Sequence, residues 1–410
     1  MRTDYVLDTL IAAGLDNARG KEEETEKMLR GLTGEDWEEL WKMSSLHQIW
    51  GIVWAGLKKF PRVELPEAVR EKFAGAAKQV AFQYYSVLSF STFVLSVLKE
   101  AHIPCYLLKG IALNELYPSA DMRKLADVDI YIPDAEAFRR AEVLLRARGF
   151  APEEGGASFH TGYRKDMGGK SYLLELHWRP CDFLPDSAAD QVVMDIFSKL
   201  PCEPEIRRIA GADIPILPPA ENAFQMVLHM MQHLVREGFG FRVLCDWCVF
   251  WRENCARVDG GRFLSYLERS GLTGLAWAAT EICVTRLGLS GEDVPWMRSI
   301  EDARYGDSAK LLYGDIIAGG EFGRGERARV VALRKSSFGL ASYAETVHRM
   351  MQSRFPKWKK VVVAWPVLWA ATLLIFFRNN RKMGRGSTAD VIKSAKEREI
   401  LLEQMKVFER

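Results

Sequence analysis

A chain of 410 residues, 48% hydrophobic and 27% charged, has the composition of a globular protein and exceeds one ordinary core, so two or three domains are expected. The formal net charge of +2 supplies no whole-molecule field for nucleic acid, and seven irregularly spaced cysteines do not make a disulfide framework. The first residues lack a basic stretch followed by an apolar one, which predicts cytoplasmic residence.

The chain begins with helical spacing over Glu22 to Leu57 and Pro66 to Glu100, where Thr33-Gly-Glu-Asp36 has the form of a capped helix start. The stripe Phe82, Tyr85, Leu88, Phe90, Phe93, Leu95 and Leu98 reads as core packing. Ile103 to Leu108 is a short apolar run of buried-strand type, ended by Gly110, and Ile111, Leu113, Leu116 and Tyr117 then recur at helical spacing.

Val128 to Ile132 alternates like a strand, which puts Asp127, Asp129 and Tyr131 on one face. Pro133-Asp134 opens a helix that runs to Arg148 and stops at Gly149. Gly-rich flanks bracket Ser158 to Asp166 as a hairpin strand, on which His160 and Arg164 either face substrate or lie exposed. Tyr172 to Trp178 is a further strand with Leu173, Glu175 and His177 on one face, so Glu175 can complete a carboxylate triad. Magnesium prefers hard oxygen ligands, and two such ions about 3.5–4 Å apart stabilise both the attacking and the leaving oxygen of an in-line displacement.

Ile214 to Leu217 closes the strand-bearing part, and Pro218-Pro219 is a rigid linker into helices starting near Ala220. His229 and His233 share a helical face but lack the glutamate of a hydrolytic zinc motif, so they read as core or supporting histidines. Arg242 and Asp246, four apart, either pair on a helix surface or line a cleft between domains. Cys245, Cys248 and Cys255 have no second closely spaced pair, so zinc is not expected there.

Val361 to Phe377 is an uncharged run of seventeen residues between Lys357, Lys359, Lys360 and Arg378, Arg381, Lys382, Arg385. At 1.5 Å per residue it falls short of a roughly 30 Å hydrocarbon core, with Pro366 expected to kink it. It reads either as an interfacial or re-entrant segment near anionic lipid or as a buried helix pair packed on the helical domain. Lys382 to Thr388 is a basic loop, and Ala389 to Phe408 an amphipathic helix with Ile392, Ala395, Ile400, Leu401, Met405 and Phe408 toward a partner or the core.

The runs LLKGIALNELYP, R-x-x-x-D-V-D-I-Y-I and L-E-L-H-W, with Leu217 to Glu221, His229, His233 and Arg242 to Asp246, resemble the uncharacterised nucleotidyltransferase family of the DNA polymerase β-like superfamily. The resemblance implies an α+β fold, a small mixed sheet flanked by helices, with helical N- and C-terminal regions. The resemblance spans most of residues 25–290, and the chain as a whole reads as helical 1–100, catalytic 101–218, helical 219–340 and a C-terminal 341–410 holding the apolar run 361–377 and a terminal amphipathic helix.

It further implies transfer of a nucleoside monophosphate from a nucleoside triphosphate, ATP by default, with two magnesium ions or manganese in their place. The acceptor hydroxyl belongs to a small molecule, a glycan precursor or a protein. Asp127 and Asp129 would bridge both metals, and Glu175 would hold the one that activates the acceptor. Lys109, Gly110 and Arg123 would meet the phosphates, with His177, Arg242 and Asp246 in support. The chain departs from the superfamily's Gly-Ser turn, carrying Lys109-Gly110-Ile111 instead. Two other readings stand beside this one: a non-catalytic nucleotide-binding or interaction protein that keeps the fold, and a membrane-associated scaffold organised around Val361 to Phe377, with membrane contact through 357–385.

Overall fold

The computed structural model describes residues 3–17, 20, 22–153, 159–236, 238–301 and 304–321, then 347–348, 351, 355, 358, 361–382 and 398–409. The sequence expectations for Lys357, Lys359, Lys360, Arg385, Ile392 and Ala395, and for most of 382–397, fall outside the described residues.

Four helices open the chain: α1 (Thr3–Gly14), α2 (Glu22–Arg30), α3 (Gly34–Leu46) and α4 (Trp50–Lys58). The expected cap of α3 is a full capping box, with Asp36 N–H donating to Thr33 Oγ1 and Thr33 N–H to Asp36 Oδ2. The long α5 (Glu67–Glu100) leads into β1 (Tyr106–Leu107), α6 (Ile111–Asn114), β2 (Asp127–Tyr131) and α7 (Ala135–Ala147). Next come β3 (Ala151–Pro152), β4 (His160–Met167), β5 (Lys170–His177), α8 (Ser187–Phe197), β6 (Glu205–Ile209) and β7 (Ala212–Ile216). The helices α9 (Pro219–Arg236), α10 (Phe241–Asn254), α11 (Gly260–Ser270), α12 (Thr273–Leu287) and α13 (Ser308–Gly319) follow, and α14 (Trp365–Lys382) lies near the C-terminal end.

The fold is α+β. Seven strands form one mixed sheet in the order β3-β4-β5-β2-β1-β7-β6. β2 runs parallel to β5 and antiparallel to β1, and β1 runs parallel to β7. Strand β1 is shorter than the apolar run suggested, because Pro104 has no N–H to give a ladder. The helix expected after Gly110 shrinks to one turn. The Asn114 side chain leaves the helix to donate to the carbonyls of Ala120 and Arg123, which turns the chain early.

Alternation decides which face of the sheet meets which helices. Val128, Ile130, Leu174, Leu176 and Ile214 point to one side, where they bury against Phe90, Val94 and Leu98 of α5 and Phe138, Ala141 and Leu145 of α7. Tyr106, Leu108 and Tyr131 point to the other and join a second, larger core built from α1, α3, α4 and α8 to α13. Asp127, Asp129 and Glu175 share the parity of Tyr131, so they face the larger helical layer.

Three packing expectations change. Phe90, Leu95 and Leu98 of the aromatic stripe are buried, but Phe82 and Tyr85 are exposed, and Phe82 has the Lys170 ammonium of β5 over its ring. Among the described residues α5 is the one helix long and apolar enough to cross a membrane, and its C-terminal half packs on the sheet. Pro366 sits in the first turn of α14, where its missing N–H costs nothing, so it starts the helix rather than kinking it. That segment is not a buried pair: Val362, Val363, Val367 and Leu374 are exposed, Val363 to 92%. In the terminal segment Leu401 and Met405 enter the larger core, whereas Ile400 is exposed.

Candidate active site

A cleft of about 260 Å³ opens between the polar end of the sheet and the helical layer. Its floor is set by strand register. β2 pairs with β5 so that Asp129 lies beside Glu175 and Tyr131 beside His177, and β4 brings His160 opposite His177. Period-two alternation then turns Asp127, Asp129, Glu175, His177 and His160 into the same space. One oxygen from each of Asp127, Asp129 and Glu175 lies within 4.8 Å of the others, a donor set of the kind that holds a hard divalent cation.

The electrostatics follow from crowding. Burial, then the neighbouring Asp129 carboxylate, pushes the Asp127 carboxyl above its usual range. Burial works against ionisation of Asp129 as well, yet the Lys109 ammonium and the His177 imidazole hold its carboxyl well below that range. Lys109 Nζ stands 3.3 Å from Asp129 Oδ2, and His177 Nε2 stands 3.2 Å from Asp129 Oδ1. Burial opposes charge on His177 too, but the carboxylates of Asp129 and Glu175 outweigh it and raise its pKa. His160 shifts the other way, lowered mainly by burial. Lys109 thus acts on both aspartates, with Arg242 opposing the rise at Asp127 and His177 supporting the charge on Asp129.

Gly110 takes φ 68°, a conformation L side chains avoid, and this lets β1 turn sharply into α6 beside Lys109. Arg123 lines the cleft but departs from the phosphate-binding expectation. Its Nε and Nη2 donate to Asp246 Oδ1 and Oδ2 at 2.5 and 2.8 Å, and its Nη1 donates to Asn114 Oδ1 at 2.9 Å. Tyr117 donates to the same Asp246 at 2.6 Å. The surface pairing of Arg242 with Asp246 is overturned, because α10 is buried on nearly every side. Asp246 stands behind the wall with Arg123, while Arg242 reaches the cleft and pairs with Glu321 at 2.6 Å.

Of the hairpin candidates, His160 lines the cleft and Arg164 does not; Arg164 pairs with Glu153 at 2.7 Å on the rim. Cys245 and Cys248 are buried in α10, and burial pushes both thiols well above their ordinary range.

The helical wall goes beyond the sequence reading, which has His229 and His233 as core or supporting residues and does not include Gln225 and Gln232. Gln225, His229, Gln232 and His233 of α9 line the cleft, and His229 and His233 approach through their Nε2 atoms at 2.9 Å. Burial, followed by Lys109 and His233, drives the His229 pKa well below its usual value. The signal was present as polar residues at positions i, i+4, i+7 and i+8 of a helix otherwise buried through Phe224, Leu228, Met231 and Leu234. Gln48, from the α3–α4 connection, also reaches the cleft and accepts from Lys124 Nζ.

No curated protein and no solved structure matches the chain. A family model described as uncharacterised nucleotidyltransferase matches residues 33–288, more than half of the chain, and spans the sheet, all three carboxylates and both helical walls. With a mixed sheet flanked by helices and a carboxylate cluster suited to a divalent cation, the chain belongs to the uncharacterised nucleotidyltransferase family.

Proposed function

We propose that this protein transfers a nucleoside monophosphate from a nucleoside triphosphate to an acceptor hydroxyl. The supporting observation is the convergence of Asp127, Asp129 and Glu175 from two paired strands at the floor of a cleft. These carboxylates would hold magnesium, or manganese in its place, and the ions would supply charge stabilisation for an in-line displacement at phosphorus. The acceptor oxygen forms a bond to the α-phosphorus, the α–β anhydride bond breaks, and pyrophosphate leaves.

In this reading Lys109 gives up Asp129 once a cation binds there and turns to the phosphate oxygens. Gly110 lets the backbone approach them, and Glu175 accepts or steers the acceptor's proton. His177 orients Asp129, Arg242 adds positive charge, and the Arg123–Asp246 pair fixes the wall. Region 101–218 is then the catalytic unit and 219–340 the helical unit that closes the cleft over it. ATP is the first nucleotide to examine, and a small molecule, a glycan precursor or a protein carries the acceptor.

Calorimetric titration of each nucleoside triphosphate with magnesium, on the native chain and on Asp127→Asn/Asp129→Asn, tests this. Binding that needs both the metal and the carboxylates supports the reading. A folded native chain that binds no nucleotide would refute it and favour an interaction protein that has kept the fold.

Cytoplasmic residence with peripheral contact to anionic membranes through 357–385 belongs to the same proposal. It is supported by the exposed valines and leucine of 362–374 and the basic flanks in the sequence. Cosedimentation with anionic vesicles, lost on deleting 357–385, is the expected result; equal sedimentation of both chains would remove this part.

A further inference from the structure

The cleft holds a second set of donors, of different chemistry from the three carboxylates. We infer that His160, Glu175 and His177 form a site for a divalent transition ion of the zinc, cobalt and iron class.

The strands place the set. Glu175 and His177 are two apart on β5 and share a face, and His160 of β4 is directly opposite His177. His160 Nδ1 lies 3.5 Å and His177 Nε2 3.4 Å from the same oxygen, Glu175 Oε2. One ligand atom from each residue lies within 4.8 Å of the others.

Those separations decide between two uses of the trio. A charge-assisted N–H···O hydrogen bond closes to about 2.7–2.9 Å, well short of what is seen. Around a tetrahedral ion with bonds of about 2.0–2.1 Å, neighbouring ligand atoms stand about 3.4 Å apart. The two imidazole–carboxylate separations therefore match those of neighbouring ligands in a coordination shell. Moreover, His160 Nδ1 is buried and makes no hydrogen bond among the described residues, so its lone pair is available to a metal.

Donor type decides the ion. Two imidazoles and one carboxylate suit a borderline cation, whereas magnesium favours the all-oxygen set of Asp127, Asp129 and Glu175. Three protein ligands leave one position open, and both His160 and Glu175 line the cleft, so the fourth ligand is water or a substrate oxygen. His177 Nε2 also shares a hydrogen bond of 3.2 Å with Asp129 Oδ1, which the ion would have to displace along with any proton on that nitrogen. The two donor sets share Glu175. If the nucleotidyl-transfer reading holds, the metal pair is mixed, with magnesium on Asp127 and Asp129 and the transition ion on the imidazoles.

The test is a cobalt(II) titration of the metal-depleted, nucleotide-free chain in excess magnesium, followed by visible absorption and calorimetry. One equivalent should bind with the absorption bands of a low-coordinate, nitrogen-ligated ion. His160→Ala and the more conservative His160→Gln, both checked for native circular dichroism, should weaken that binding at least about tenfold. Asp127→Asn should weaken it less than either His160 variant does.

Displacement of cobalt by magnesium, or loss in Asp127→Asn with retention in a folded His160 variant, would assign the ion to the carboxylates and overturn the inference. So would a natively folded chain that binds no cobalt. Failure of the nucleotidyl-transfer reading shows separately, as intact cobalt binding without magnesium-dependent binding of any nucleoside triphosphate.

Discussion

Arg123 and Asp246, 123 residues apart, are joined by a two-point ion pair that ties the loop before β2 to α10 across the cleft wall. Both side chains are buried, so each charge depends on the other. Removing one partner by Arg123→Ala or Asp246→Ala should cost about 3–5 kcal/mol in urea unfolding, because the survivor is left charged and unpaired. Replacing both by apolar residues, as in Arg123→Met/Asp246→Leu, should recover most of that loss. Equal losses in the single and double variants would show that the pair itself, rather than the stranded charge, supplies the stability.

Under the nucleotidyl-transfer proposal, Lys109 has opposite effects on metal binding and on nucleotide binding. With its ammonium 3.3 Å from Asp129, it competes with any cation for that carboxylate. Lys109→Met should let magnesium or manganese alone bind about tenfold tighter and the metal–nucleotide complex about tenfold weaker. Calorimetry with and without nucleotide reads both changes. Movement of both affinities in the same direction would deny Lys109 this double role.

Asp8 gives the helical core a pH dependence of defined sign. Burial, opposed by the hydrogen bond from Tyr313, pushes its carboxyl from 3.8 to about 7. A folded pKa raised above the unfolded one means that the stability it contributes is fully present below pH 3.8 and is lost as pH rises toward 7. Asp8→Asn should therefore gain on the native chain between about pH 4 and 7, by up to about 4 kcal/mol. Urea unfolding of both proteins at several pH values measures it, and a constant difference between them would count against a titrating Asp8.

Glycine governs how closely α1 and α4 approach. A Cβ on Gly56 would fall 2.1 Å from the Leu10 carbonyl oxygen, and one on Gly14 would fall 2.3 Å from that of Ile52. Gly56→Ala should thus destabilise by about 1–3 kcal/mol or more through forced separation of the helices. In contrast, Gly75 in α5 has open space around its Cβ position, so Gly75→Ala should stabilise by roughly 0.5–1 kcal/mol. Thermal unfolding of the two variants checks the contrast.

What the sequence disclosed was what local periodicity can carry. Period-two alternation around Asp129 and Glu175 was enough to put both carboxylates on one face, and the cap residues Thr33 and Asp134 marked helix starts correctly. Relationships across long stretches of chain were not legible. Nothing local to Arg123 announces Asp246, and nothing near Arg242 announces Glu321. The polar stripe of α9 was visible as a pattern, but its meaning depended on the sheet face opposite it. The exposure of Phe82 and Tyr85 likewise depends on what packs against α5, which the stripe itself does not encode.

The hydrogen bond from Tyr313 to Asp8 spans 305 residues and lies within the core that forms the helical side of the cleft. During synthesis at roughly 5–20 residues per second, α1 is made about 15–60 s before α13 exists to meet it. Until then the apolar face of Val6, Leu7, Leu10 and Ile11 has only its near neighbours for cover. Strands β1, β2, β4 and β5 leave the ribosome well before the helices that close over them. The order of birth thus makes assembly of the cleft a late event, with its acidic floor laid down first and its roof arriving last.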